Sequence, residues 1–305
     1  MARGALLVAV AVACIVAVLN ISEVGAAIVR AIDDATGYGI PNATASAPGP
    51  SPGVAGAGNE PPFTGGTCVT YPATGPAAGQ SVFVDAGHGG PDPGAIGEVG
   101  DTAVMEKVVT LAVARRLAGL LENDGYRVTM SRTGDSAVAA GLAAGGELTP
   151  DEIHRDLLAR IACANKSGAN LLVSIHFNGS DDSGIAGSET FYDAERPFAA
   201  SNRRLAVDLQ RSITAAVATT DLGVWPDDQN IGPALTPAGA AYGHLVVLGP
   251  PSPGYVDTPS QMPGSLVEPL FLTNPAEAQR ASDPRTQQQL AVAIDAGVRA
   301  YFRGA

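Results

Sequence analysis

Residues 81–90 read Ser81-Val82-Phe83-Val84-Asp85-Ala86-Gly87-His88-Gly89-Gly90, an apolar run that breaks into a Gly-rich turn carrying one imidazole. A short β-forming run bounded by glycine has the signature of a strand buried on both faces. Downstream, Val109, Val113, Leu117, Leu120 and Leu121 fall on one helical face, with Asp101 and Thr102 as candidate N-caps and Gly125 as the stop. Tyr126–Met130 then alternates as a strand. Thr149-Pro150-Asp151-Glu152 is a capping box with proline at the first helical position, and Ile153, Leu157 and Ile161 continue the stripe up to Gly168.

The same alternation persists to the end of the chain. Leu171–Ile175 and Ser188–Tyr192 are predicted strands, and Leu205, Leu209, Ile213 and Val217 mark a helix from Phe198 to about Ala218. His244–Leu248 and Ser265–Val267 are the last predicted strands. Asn274 and Asp283, each followed by proline, open two closing helices, the second carrying Leu290, Ile294, Val298 and Phe302. Strands alternating with helices predict a single α/β domain with a mostly parallel, about six-stranded sheet flanked by helices on both faces. In such a sheet, ligands sit beyond the carboxyl ends of the strands.

Upstream of residue 81 the chain changes character. Met1–Ile21 holds one arginine and then an unbroken apolar run from Ala5 to Leu19, followed by the small residues Gly25-Ala26-Ala27. Residues 1–27 are expected to be a signal peptide or N-terminal anchor, with Cys14 a small hydrophobe inside it. Residues 28–66 are expected to be a flexible linker, since ten of the 22 residues from Pro41 to Pro62 are Pro or Gly. A globular domain is expected over residues 67–305, exported to the periplasm or cell envelope or secreted. The membrane is expected to be met only through the N-terminal segment, where that segment is uncleaved, and the chain is expected to be a monomer.

Eighteen Lys+Arg against 30 Asp+Glu give a net charge of −12, which disfavours a nucleic-acid partner. Three cysteines are too few for a disulfide scaffold. Cys68 and Cys163, the pair left after removal of a signal, are expected to be bridged in an exported protein.

Four side chains fall at element ends on one edge of the predicted sheet. His88 follows the first predicted strand and His176 follows Leu171–Ile175, so the two imidazoles stand at neighbouring strand ends. Glu106 lies in the first turn of the helix after the Gly-rich loop, within reach of a cation held by both. Two His and one Glu with an open fourth position are the donor set of catalytic zinc hydrolases. Glu268 ends the last strand inside an apolar stretch, where an unpaired acid is costly to bury, and stands ready to take a proton from metal-bound water. Asp85 and Asn178 are candidates to orient a ligand or the substrate carbonyl. His154, inside a helix, and His244, at a strand start, are expected to be structural.

Taken in order, Val84-Asp85-Ala86-Gly87-His88-Gly89-Gly90, Pro91-Asp92-Pro93-Gly94-Ala95, Glu106, Arg132-Thr133, Leu157…Arg160…Ala164-Asn165, Ser174-Ile175-His176-Phe177-Asn178 and Val267-Glu268-Pro269-Leu270-Phe271-Leu272-Thr273-Asn274 resemble the zinc-dependent N-acetylmuramoyl-L-alanine amidases of the Amidase_3 type. The resemblance runs from about Ser81 to Phe302. It implies one Zn2+ per chain on His88, Glu106 and His176, with Glu268 as catalytic acid/base. It also implies a peptidoglycan or muropeptide substrate, cut between the lactyl group of N-acetylmuramic acid and L-alanine. No wall-binding module is expected, so work on accessible strands or soluble fragments is expected rather than processive work on intact wall. Pro269 departs from the small residue usual after the final Glu, and the segments 137–147, 223–241 and 249–264 are additional. Two other readings share these residues. One is a zinc carboxypeptidase, which needs a cationic anchor such as Arg132 or Arg160; the other is a catalytically silent binder of wall fragments.

Overall fold

A computed structural model describes residues 63–304 except 143–145, 231–233 and 235. The expected signal or anchor, Cys14, the linker up to residue 62 and parts of two of the additional segments lie outside the described residues. Phe63 bridges to Ala139, and the Thr64 amide donates to the Val138 carbonyl, so the last residues assigned to the linker are bonded to the domain. Among the described residues no helix is long and apolar enough to cross a membrane.

In chain order the elements are β1 (Thr67–Tyr71), β2 (Ser81–Ala86), β3 (Ile96–Val99), β4 (Thr102–Met105), α1 (Glu106–Asn123), β5 (Arg127–Arg132), α2 (Pro150–Ser167), β6 (Leu171–Ile175), β7 (Ser188–Tyr192), α3 (Ala199–Val217), β8 (Asp221–Pro226), α4 (Pro237–Tyr242), β9 (Gly264–Glu268), α5 (Pro275–Ser282) and α6 (Pro284–Arg303). Seven strands form one sheet in the order β1-β5-β2-β6-β9-β7-β8, while β3 and β4 pair as a separate hairpin. The sheet is a single mostly parallel layer with antiparallel junctions only at β1·β5 and β7·β9. It holds one strand more than the sequence predicts.

Strand alternation sends side chains to two cores. Val82, Val84, Leu171, Val173, Ile175 and Val267 pack with α1, α3 and α6 on one face. Phe83, Leu172, Phe191 and Leu266 pack on the other against Cys163 and Ala164 of α2. Helices therefore cover both faces, as expected for an α/β sheet. The Thr149 capping box is present in full, with Glu152 returning to the Thr149 amide, and Gly168 ends α2 at φ 60°. Cys68 and Cys163 form a disulfide that ties the edge strand β1 to α2.

Two local expectations are overturned. Asp101 and Thr102 cap no helix: Gly100, at φ 61°, and Asp101 make the two-residue turn of the β3–β4 hairpin. The helix begins at Glu106, after a Met105 N-cap that makes no side-chain cap bond. His244–Leu248 is not a strand. Val246, Val247 and Leu248 are buried, but the Leu245 carbonyl accepts from Leu248 and Gly249, folding the run back as a turn. A short apolar run satisfies any buried segment, and periodicity cannot tell which.

Candidate metal centre

Parallel pairing of β2 with β6 and of β6 with β9 brings their carboxyl ends side by side. The chain beyond β2 turns through Gly87 and His88, and the Gly87 amide donates to the Ile175 carbonyl. A Cβ at Gly87 would stand 2.5 Å from the His176 ring, so only glycine lets the two strand ends approach this closely. His88 itself holds φ 60°, a left-handed conformation that costs a side chain about 1–2 kcal/mol.

Two buried arginines hold that conformation. Arg132 donates to the carbonyls of Ala86, Gly87, Lys107 and Gly134. Arg160 pairs with Asp85 at 2.7 Å and Asp156 at 2.9 Å while donating to the carbonyls of Ala86 and His88. Asp85 therefore acts on the His88 loop through Arg160, and its other oxygen accepts from Ser174. With both guanidiniums engaged, neither Arg132 nor Arg160 serves as the substrate anchor a carboxypeptidase needs.

His88, Glu106 and His176 meet at a point. His88 Nε2 lies 3.0 Å from Glu106 Oε2, His176 Nδ1 lies 3.0 Å from Glu106 Oε1, and the two ring nitrogens are 3.1 Å apart. Glu106 is buried, and its oxygens also accept the amides of Ala95 (2.8 Å) and Phe177 (2.9 Å). Burial alone would raise this carboxyl, but His88 and His176 draw it well below the ordinary range. Burial likewise opposes protonation of His88, yet Glu106 and Asp92 push it up to about 10. Three donors about 3 Å apart suit a tetrahedral ion whose bonds are about 2.0–2.2 Å, so the residues present fit zinc.

The structure adds residues that sequence reasoning passed over. Asp92 Oδ2 holds His88 Nδ1 at 2.7 Å, which turns Nε2 toward Glu106, the usual carboxylate–imidazole support of a metal ligand. Its signal was an acid four residues after the His in a Pro-bounded loop. Asn178 is hydrogen-bonded to neither imidazole; its side-chain amide donates to Glu189, which faces Glu268 across the β7·β9 ladder. Glu277, buried in α5, accepts the amides of Gly187 and Phe271 and so fixes the chain just past Glu268.

Glu268 ends β9 at the same edge, and its Oε2 is buried without a hydrogen-bond partner among the described residues. Burial, then the negative charge of Glu106, pushes its carboxyl well up. His154 stands apart, stacked on Tyr255 with ring centroids 4.0 Å apart. His244 also lies elsewhere, between Asp193 and Asp227.

Comparison with known proteins gives the family. The family model for N-acetylmuramoyl-L-alanine amidase, Amidase_3, matches residues 82–300. The chain belongs to the Amidase_3 family. It is 31% identical to the uncharacterized protein YqiI of Bacillus subtilis over 74% of this chain and 87% of that one. Identity to the germination-specific N-acetylmuramoyl-L-alanine amidase of the same organism is 30%, over 74% of this chain and 81% of that one. Among solved structures, an N-acetylmuramoyl-L-alanine amidase from Clostridium difficile 630 superposes with a TM-score of 0.53 at 28% identity, covering 73% of this chain and 97% of its own. The sheet and its helices are thus those of an Amidase_3 enzyme.

Proposed function

We propose that this amidase hydrolyses the amide between the lactyl group of N-acetylmuramic acid and L-alanine of the stem peptide, outside the cytoplasm, with one zinc ion held by His88, Glu106 and His176. The observation that carries the reading is the convergence of those three donors within about 3 Å, with the unpartnered Glu268 oxygen at the same sheet edge. Zinc in that place supplies Lewis acidity toward the scissile carbonyl and brings the pKa of a water down to about 7.

The protein's own groups do the rest. Glu268 accepts the proton of the attacking water and delivers it to the departing amine, which leaves poorly unless protonated. Its buried, upward-shifted carboxyl suits a group that must both hold and release a proton. With the Glu106 charge offset by an ion on the triad, Glu268 would start as the carboxylate that the reaction needs. Asp92 keeps His88 in the tautomer that directs Nε2 inward, and the Arg132 and Arg160 hydrogen bonds keep its loop in place.

Digestion of muropeptides by the purified protein tests the reading. The expected products are the muramyl sugar with a free lactyl carboxyl and a stem peptide with a new L-alanine amino terminus. Release of a terminal amino acid instead would establish the carboxypeptidase reading, and binding without turnover the silent one.

A further inference from the structure

Because β7 runs antiparallel to β9, its carboxyl end lies at the sheet edge opposite His88 and Glu268, and parallel β8 ends beside it. There Asp193 follows β7, Asp227 follows β8, and His244 follows α4. His244 Nδ1 lies 3.1 Å from Asp227 Oδ1 and 3.4 Å from Asp193 Oδ2. These three ligand atoms all lie within 4.8 Å of one another.

Two features set this cluster apart from an ordinary buried ion pair. The first is an orphaned acceptor. Asp193 is fully buried, its Oδ1 accepts the amides of Glu195 and Arg196, and its Oδ2, aimed at His244, has no hydrogen-bond partner among the described residues. The second is charge. Asp193 and Asp227 are both buried, and the guanidinium of Arg196 gives its hydrogen bonds to Gly249 and Ser260 instead. His244 offers at most one positive charge between the two carboxylates, the Arg196 guanidinium acts on Asp193 only through space, and Glu195 Oε1, 3.8 Å from His244 Nε2, adds another negative group at the rim. A buried carboxylate oxygen left without a donor is costly, and a bound cation removes that cost.

We propose that Asp193, Asp227 and His244 form a second, structural site for a zinc-class divalent cation, with Glu195 at its rim. One imidazole and two carboxylates are donors for a borderline ion, and too few oxygens for calcium. The ion ties the ends of β7 and β8 to the segment that leads into β9, since Leu245 donates its amide to Asp227 Oδ2. It takes no part in hydrolysis.

The test is zinc binding by the chelator-treated full chain in which His88→Ala and His176→Ala remove the first centre. Expected are one equivalent of zinc by equilibrium dialysis and a zinc-dependent rise in melting temperature. Adding His244→Gln to that background should weaken this binding by at least about 100-fold, while Asp193→Asn serves if His244→Gln does not fold. Absence of zinc binding by the double variant, or binding unchanged by both added substitutions, overturns the proposal. One equivalent in both the unsubstituted chain and the double variant would support this site and sink the zinc role of the first.

Discussion

The two imidazole–carboxylate clusters lie at opposite ends of one sheet and are built in opposite ways. At the first, two imidazoles share one carboxylate whose oxygens are also held by the Ala95 and Phe177 amides, and Asp92 supports one ring from behind. At the second, two buried carboxylates share one imidazole, and one oxygen is left without a donor. The first is prearranged by the parallel centre of the sheet, where three neighbouring strands end together. The second depends on the antiparallel pair at the sheet margin and on a turn that folds back on itself. Prearranged donors with an acid nearby suit chemistry, whereas a charge-deficient knot at a margin suits a fastening.

The largest break in this comparison is expected from Glu268→Gln, because Glu268 is the buried acid proposed to carry the proton at the first end. Turnover should fall about 10²–10⁴-fold with metal content unchanged. Turnover within twofold of the unsubstituted enzyme would remove Glu268 from the mechanism.

Reducing the Cys68–Cys163 bridge comes next. The bridge spans 95 residues and staples the β1 margin of the sheet, as the second cluster is proposed to fasten the β8 margin. Its loss should cost about 2–5 kcal/mol, read as a lower denaturant midpoint in the presence of a reductant. An unchanged midpoint would mean the bridge contributes nothing at that edge.

Asp92→Asn sharpens the contrast within the first cluster. It retains a hydrogen-bonding group of the same shape but loses the charge that steadies His88, so zinc affinity should drop about 10–100-fold. Competition with a chelator measures it, and the second cluster should keep its affinity throughout.

The smallest effect lies on α6, away from both clusters. Burial, only partly offset by Arg299, raises Asp295 to about 6. The folded state therefore binds this proton more tightly than the unfolded one. Its contribution to stability is present below the unfolded pKa and is lost as pH rises through about 6. Asp295→Asn should stabilise the protein at pH 7 by about 1–3 kcal/mol and flatten the dependence of Tm on pH between about 4 and 7. A steeper dependence in the variant would contradict that assignment.

Much of the architecture was legible because its signals are local. Apolar runs such as SVFVD and LLVSI became β2 and β6, and the caps at Thr149, Asn274 and Asp283 opened the helices they announce. The short strands β1, β3, β4 and β8 were not legible. Their sequences are interrupted by Gly, Pro or polar residues, and they exist because a neighbour supplies hydrogen bonds on one side. β8 bends at Gly223, φ 108°, and ends on Pro226, yet it pairs in parallel with β7. The placement of His88, Glu106, His176 and Glu268 at one edge followed from their position at element ends. Asp92, Glu189 and the actual partners of Asp85 and Asn178 did not follow.

The amino-acid order alone determined where the chain is apolar, where it must turn and which imidazoles and carboxylates stand at the ends of strands. Those are properties of a residue and its near neighbours. Only the folded molecule decided that His244 sits between Asp193 and Asp227, that Asp85 works through Arg160, and that Glu189 faces Glu268. Each of these contacts joins residues brought together by strand order and direction, a choice set by the packing of the whole sheet and visible in no short window of sequence.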